Sequence, residues 1–266
     1  MNLPTVPEIT AVSDPAKGQP SNDVVIALEE AVVRYRIPRE RFHSFKEFAI
    51  RRVQGKVEYE DLLALNKINL QVRRGEVFGL IGANGAGKTT LLRLVARVMR
   101  PSSGRVVVRG RVAPLLAMGA GFHHELTGRE NVYLNGALLG YTRYQIDECF
   151  DWIVDFAELR DFIEAPLRTY STGMMARLGF SVATAVQPDV LIVDEVLSVG
   201  DIAFQEKSGD RIKQFRKDGA SILLVSHGME TITKMCDRAA WLSHGEIVDM
   251  GEADGVVQNF EKFMNV

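Results

Sequence analysis

The residues best suited to chemistry form one unbroken stretch, Gly82-Ala83-Asn84-Gly85-Ala86-Gly87-Lys88-Thr89-Thr90, which contains G-x-x-x-x-G-K-[ST] in full. A glycine-rich turn lets successive backbone N–H groups point at an anion without a Cβ in the way. The apolar run Val77-Phe78-Gly79-Leu80-Ile81 precedes it, and Leu91, Leu92, Leu94 and Val95 follow at helical spacing. The pattern predicts a buried parallel strand, a phosphate-binding loop and a helix that begins at the loop. In such a site Lys88 supplies the cation for a nucleoside triphosphate. Thr89 offers its hydroxyl to the Mg²⁺ that bridges the outer phosphates.

Two further strand ends carry reactive side chains. Val190-Leu191-Ile192-Val193 is followed by Asp194 and Glu195, which places two carboxylates at the carboxyl end of a buried strand, where ligands of α/β sheets bind. Asp194 is positioned to hold the Mg²⁺ shell, and Glu195 to orient or deprotonate the water that attacks the γ-phosphate. The apolar run at 222–225 ends in Ser226-His227. The His227 imidazole either bridges phosphate and water or is structural. The run Thr169-Tyr170-Ser171-Thr172-Gly173-Met174 then makes a second helix N-terminus suited to an anion. One nucleotide does not need both termini. The economical arrangement is a composite site, with the loop of one chain and the Ser171 helix end of a second copy enclosing one ATP.

The elements that position these residues follow from the rest of the chain. Its 266 residues suffice for one α/β domain with a subdomain. With 32 basic against 34 acidic residues and a net charge of −2, nothing global favours nucleic acid as a partner. Cys149 and Cys236 lie in apolar helical contexts and read as buried free thiols of a reducing compartment. No apolar run of about 18 residues and no secretory signal is encoded, so the expected location is the cytosol, or a membrane reached through a partner.

Residues 1–23, with Pro4, Pro7, Pro15 and Pro20, read as a disordered leader. Residues 24–35 read as a strand pair, and 38–61 as an insertion. Within it Phe42, Phe45, Ala49 and Val53 share a helical face, and Arg41, Lys46, Arg51 and Arg52 add positive charge. That helix either packs on its own domain or docks at a membrane surface or partner.

Strands are expected at 65–72, 106–108 and 112–116, with the first half forming a mixed sheet that feeds one helix. Thr127 and Glu130 form a capping box that opens a helix through Leu139, ended by Gly140. Further helices at 144–156 and 174–185 make residues 118–186 a helical subdomain. Strands return at 190–193 and 222–225, then a hairpin at 238–250 around His244-Gly245 and a closing helix within 253–266.

In order and spacing, the phosphate loop, Ser171-Thr172-Gly173, Asp194-Glu195, Ser198-Val199-Gly200-Asp201 and Ser226-His227 resemble the ATP-binding cassette (ABC) ATPases, over residues 24–250. The resemblance implies an α/β fold: a P-loop (RecA-like) core, an antiparallel β subdomain and an inserted α-helical subdomain. More narrowly, Gly121-Phe122-His123, Leu126-Thr127-Gly128-Arg129-Glu130-Asn131, Tyr170 to Met174 and Asp194 to Asp201 look like the ATPase subunits of polysaccharide exporters. These handle O-antigen, capsule, teichoic acid or other lipid-linked glycans.

The resemblance implies an ATPase using ATP and Mg²⁺, peripheral on the cytoplasmic face of the cell membrane. Its implied partners are a second copy, an integral membrane permease and the lipid-linked glycan that is carried. Glu195 is then the hydrolytic base, His227 the switch histidine, and Ser171 and Gly173, with Thr172, the contacts made across the dimer. Asp201 couples the two copies. Tyr35 matches the aromatic that stacks on adenine, and equally fits a core tyrosine at the sheet edge.

The family's usual glutamine ahead of the helical subdomain is missing: no Gln occurs between Arg100 and Tyr144, and residues 118–124 stand there, with His123 and His124 both open as substitutes. Since the chain reaches Val266 without a carbohydrate-binding β domain, glycan recognition is expected in the membrane partner or a separate piece. The alternatives are a drug or lipid exporter, or a soluble ABC ATPase outside transport. Tandem cassettes or sustained heptads would mark the latter, and neither is seen.

Overall fold

The computed structural model describes residues 23–39, 59–115, 121–194, 201–226 and 228–264. Its centre is built from short apolar runs. β3 (Val77–Ile81) and β7 (Ser221–Val225) are buried at every position, and β6 (Val190–Asp194) at all but its last. Strands buried on both faces belong in a parallel sheet covered on both sides. They lie in a six-stranded sheet of order β5-β6-β7-β3-β8-β9, with β5 (Val112–Leu115), β8 (Arg238–Ser243) and an antiparallel edge strand β9 (Glu246–Glu252).

A second, antiparallel sheet has the order β2-β1-β4, from β1 (Val24–Pro38), β2 (Tyr59–Arg73) and β4 (Ser103–Val108). Three expectations are corrected here. Residues 24–35 are one long strand, not a pair. β1 pairs with β2 from Val24↔Arg73 out to Pro38↔Tyr59, so Pro38 and residues 59–61 belong to strands and not to the insertion. The first half also feeds two sheets rather than one.

The irregularity that makes β1 look broken is a bulge, with left-handed residues Glu30 (φ 47°) and Lys67 (φ 48°) on the two strands. Asn69 holds it: its Oδ1 accepts from the Glu30 N–H at 2.9 Å, and its Nδ2 donates to Glu30 Oε1 at 2.5 Å. The chain passes from one sheet to the other between β4 and β5, at Gly110 (φ 82°), where Asp189 Oδ2 accepts the Arg111 N–H at 2.7 Å. The rest of the insertion, the amphipathic stretch 42–53 included, and the leader lie outside the described residues.

Alternation along the parallel strands divides the core. Phe78, Leu80, Val190 and Ile192 face the antiparallel sheet, and α1 (Lys88–Val95) buries Leu91, Leu92, Leu94 and Val95 between the two sheets. Val77, Ile81, Leu191 and Val193 face the other way, onto α5 (Ile202–Lys217), α6 (Met229–Met235) and α7 (Ala253–Met264). A third core joins α2 (Gly128–Leu138), α3 (Arg143–Ala157) and α4 (Thr172–Ala183) around Val132, Phe150, Ile153, Leu167 and Leu178.

Two capping boxes start this helical part. Thr127 and Glu130 exchange bonds at the head of α2, and Thr142 and Gln145 do so at the head of α3. Cys149 and Cys236 are free thiols, half-buried and buried, and burial pushes the Cys236 thiol up to about 12.

Candidate functional site

β3 runs between β7 and β8 and delivers the chain at Gly82 to the carboxyl edge of the parallel sheet. Gly82 (φ 148°) tolerates no side chain: a Cβ would come within 2.1 Å of the Leu242 carbonyl oxygen. Gly87 (φ 107°) is pressed in the same way, 2.7 Å from the Ala64 carbonyl oxygen. The loop therefore leans on the β8–β9 turn and on β2. That backing is hydrogen-bonded, Gly245 N–H to the Ala86 carbonyl at 2.9 Å and Asn66 N–H to the Gly245 carbonyl at 2.8 Å.

On the open side Ala83, Asn84, Gly85 and Thr89 are exposed, while Thr90 is half-buried. α1 starts at Gly87 with no side-chain cap and no acidic residue in its first turn, so its own side chains do not offset the positive end of its dipole. Lys88 is only 8% exposed and reaches back over the loop, its Nζ donating to the Gly82 carbonyl at 2.5 Å and the Ala83 carbonyl at 3.0 Å.

β6 brings Asp194 to the same edge. Asp194 pairs with Val225 on β7, and Val225 pairs in turn with Leu80 on β3. The Asp194 backbone thus lies two strand spacings, roughly 10 Å, from Leu80, two residues before the loop. Ser226 follows directly. Glu195, His227 and the Ser198-Val199-Gly200 run lie outside the described residues.

The second helix N-terminus, expected from sequence to suit an anion, is that of α4. Ser171 is its N-cap, with Oγ accepting the Met174 N–H at 3.1 Å, and Ser171 and Thr172 are exposed. Gly173 is half-buried. Ser171 and Gly173 line a groove of about 520 Å³ with Glu158, Phe162, Arg177 and Asp201. Asp201 is the N-cap of α5, accepting the Phe204 N–H at 2.9 Å.

The sequence pattern of the family described as ABC transporter matches residues 65–198, half of the chain. This chain belongs to the ABC transporter family. It is 48% identical over 202 residues to an O-antigen export system ATP-binding protein RfbB of Klebsiella pneumoniae, covering 76% of this chain and 82% of that protein. The RfbB of Myxococcus xanthus is 40% identical over 252 residues, covering 93% of this chain and 58% of its own length. A teichoic acids export ATP-binding protein TagH of Bacillus anthracis is 36% identical, covering 90% of this chain and 43% of its own.

Solved structures agree in fold. An ATP binding subunit of an ABC transporter superposes with a TM-score of 0.68 at 20% identity, covering 89% of this chain and 93% of that one. A dimeric post-hydrolysis form of the ATP-binding cassette MJ0796, bound to ADP and Pi, does so at 0.66 and 19%, covering 86% and 98%.

Within this ABC chain, two of the stretches that resemble polysaccharide exporters, Leu126 to Asn131 and Tyr170 to Met174, are packed together through residues 162–167. The Gly128 N–H donates to the Ala165 carbonyl, the Arg129 N–H to Ile163, and the Leu167 N–H to Leu126. Tyr170, just ahead of Ser171, is buried and its hydroxyl donates to the Phe162 carbonyl at 2.7 Å. Burial pushes that phenol up to about 12.

Where the family's glutamine is missing, His123 and His124 are exposed and their backbones are held by neighbours. Asn131, 0% exposed, holds the stretch. Its Oδ1 accepts from the His123 N–H, and its Nδ2 donates to the carbonyls of His123, Leu126 and Thr127. Its sequence signal was its place one residue beyond the capping box.

Tyr35, on β1, is half-buried against the first core, with its hydroxyl 3.7 Å from the Met99 sulfur. Among the described residues no group of three or more His, Cys, Asp or Glu side chains gathers as for a metal ion, and no helix is long and apolar enough to cross a membrane.

Proposed function

We propose that this chain is the ATP-hydrolysing subunit of an exporter that moves a lipid-linked polysaccharide across the cytoplasmic membrane. It works as a pair of copies, peripheral on the cytoplasmic face beside an integral membrane permease. The observation that carries the reading is the phosphate loop at the carboxyl edge of the sheet, in a chain 48% identical to an O-antigen export ATP-binding protein over 82% of that protein's length.

The loop fits a triphosphate. The exposed stretch 83–85, the uncapped start of α1 and the Lys88 ammonium concentrate donors and positive charge on one spot. Lys88 exchanges its carbonyl contacts for phosphate oxygens, while Gly82 to Thr90 wrap the chain of phosphates. Thr89 and Asp194 hold Mg²⁺. The pair suits an ion that takes its other ligands from phosphate and water. When bound, Mg²⁺ neutralises charge that builds on the outer phosphates.

Glu195, next along from Asp194, orients the attacking water and takes its proton, and His227, beyond Ser226, holds the γ-phosphate side. Tyr35 stacks on adenine. The Ser171 hydroxyl, with Thr172 and Gly173 at the head of α4, completes the site from the second copy. Asp201 ties the two copies together. Closure of two such sites stores binding energy in the dimer, and hydrolysis releases it.

The test is to purify the chain together with a membrane permease partner and measure ATP hydrolysis with and without lipid-linked glycan. Stimulation by the glycan, lost in Glu195→Gln, is the expected result. Turnover that ignores glycan and responds to amphipathic drugs would overturn the export assignment. Intact turnover in Glu195→Gln would overturn the base.

A further inference from the structure

Three stretches far apart in sequence meet backbone to backbone behind the phosphate loop. They are Ala64 to Asn66 on β2, Ala86-Gly87 in the loop, and the turn His244-Gly245 between β8 and β9. The Ala64 carbonyl oxygen is the wedge: a Cβ on Gly87 would come within 2.7 Å of it, and a Cβ on Gly245 within 2.8 Å. His244 (φ 47°) and Gly245 (φ 80°) are both left-handed, as a two-residue hairpin turn of type I′ requires.

This turn is bonded on both sides. The Asn66 N–H donates to the Gly245 carbonyl at 2.8 Å, and the Gly245 N–H donates to the Ala86 carbonyl at 2.9 Å. The side chain of Asn66 adds a further hold, its Nδ2 donating to Glu246 Oε1 at 2.6 Å. The turn is thereby tied to β2 on one side and to the phosphate loop on the other.

The bond to Ala86 decides which way one donor of the loop points. A trans peptide unit is planar, with its carbonyl and its N–H on opposite sides, and no described peptide bond is cis. With the Ala86 carbonyl turned back to Gly245, the Gly87 N–H of the same unit is directed away from the turn, to the side where residues 83–85 are exposed. The Ala86 N–H is taken up inside the loop by the Ala83 carbonyl at 3.2 Å.

We infer that Gly245 is a positioning residue for the phosphates, held in place by Asn66 and Glu246: from behind, it fixes the Ala86–Gly87 peptide so that the Gly87 N–H is aimed at them. The inference rests on the ATPase reading above and adds three residues to it.

Such a residue acts on binding of phosphate, not on the base and not on the rate once nucleotide is bound. Calorimetric titration of the complete chain with ATP and with inorganic tripolyphosphate, each with Mg²⁺, tests it. Gly245→Ala, whose Cβ would drive the turn off Ala64, is expected to weaken both ligands about tenfold or more. In the complex with its permease, the same variant raises KM for ATP by a like factor and leaves kcat within about twofold.

Asn66→Ala and Glu246→Ala each remove the side-chain hold and are expected to weaken both ligands about threefold, the double variant no more than either. By charge alone, removing the Glu246 carboxylate near an anion site would tighten binding, so the sign separates the two causes. Glu246→Gln keeps an acceptor for Asn66 and restores affinity to within about twofold.

Tighter binding in Glu246→Ala, additive losses in the double variant, or a loss for ATP that tripolyphosphate does not share would each overturn the inference. So would an unchanged KM in Gly245→Ala. If Gly245→Ala fails to fold, the cycle of Asn66 and Glu246 decides by itself. No binding of ATP or tripolyphosphate by the unaltered chain would overturn the functional reading, and this inference with it.

Discussion

Gly128 is pressed against the hydroxyl of Tyr170: a Cβ on that glycine would come within 2.3 Å of the phenol oxygen and 2.9 Å of the Ile163 carbonyl oxygen. The first residue of α2 and the residue before Ser171 thus share one contact. Gly128→Ala is expected to destabilise the chain by about 1–3 kcal/mol, overpacking outweighing the better helix propensity of alanine. Tyr170→Phe in the same background should recover part of that loss. Urea unfolding of the four chains of this cycle measures it, and fully additive effects would refute the contact.

Lys88 folds back onto the carbonyls of Gly82 and Ala83. Removing the ammonium should spare the fold and abolish capture of the triphosphate. At ATP near a hundredfold excess over Kd, the unaltered chain is expected to gain about 2.7 kcal/mol. Lys88→Met should gain almost nothing in the same thermal melt. An equal upward shift in both chains would remove Lys88 from the site.

Asn131 is fully buried and satisfies four backbone groups of the stretch 123–127. Asn131→Ala leaves the His123 N–H without its acceptor, while the three carbonyls keep their backbone donors, and should cost about 1–3 kcal/mol, more than a typical surface change. Faster hydrogen exchange at the His123 amide, whose N–H Asn131 accepts, would mark the cause. Unaltered exchange there would contradict it.

Stability should depend on pH at both extremes through this same unit. The Thr127 N–H, and then its hydroxyl, hold the Glu130 carboxyl below its usual range, so its contribution is present above that range and is lost as pH falls through the lowered value. Burial pushes Tyr170 up to about 12. Its contribution is complete below the ordinary tyrosine value of about 10 and is lost as pH rises through the folded value. Glu130→Gln should flatten the acid limb of a stability–pH curve and Tyr170→Phe the alkaline limb. An unchanged limb would refute the corresponding residue.

The loop, the strands around it and the start of α2 are legible in sequence because each is local: an apolar run, a glycine pattern, a capping box. β1 looks like two strands in sequence because long-range pairing decides it: only the partner strand shows that the irregularity at Glu30 is a bulge within one strand. α5 drew no expectation at all. Its buried positions Phe204, Ser208, Ile212 and Phe215 are spaced for a helix, but a serine interrupts the apolar stripe and charged residues surround it. The Arg177–Asp201 pair joins residues 24 apart and leaves no periodic mark.

The back wall of the phosphate loop comes from the two flanks of the chain. Ala64 and Leu242 supply the carbonyls against which Gly87 and Gly82 rest, and Gly245 supplies the hydrogen bond to Ala86. All three lie beyond the stretch 65–198 that carries the family pattern. A proteolytic nick between β7 and β8 would therefore weaken the grip on nucleotide while leaving every residue of the loop in place.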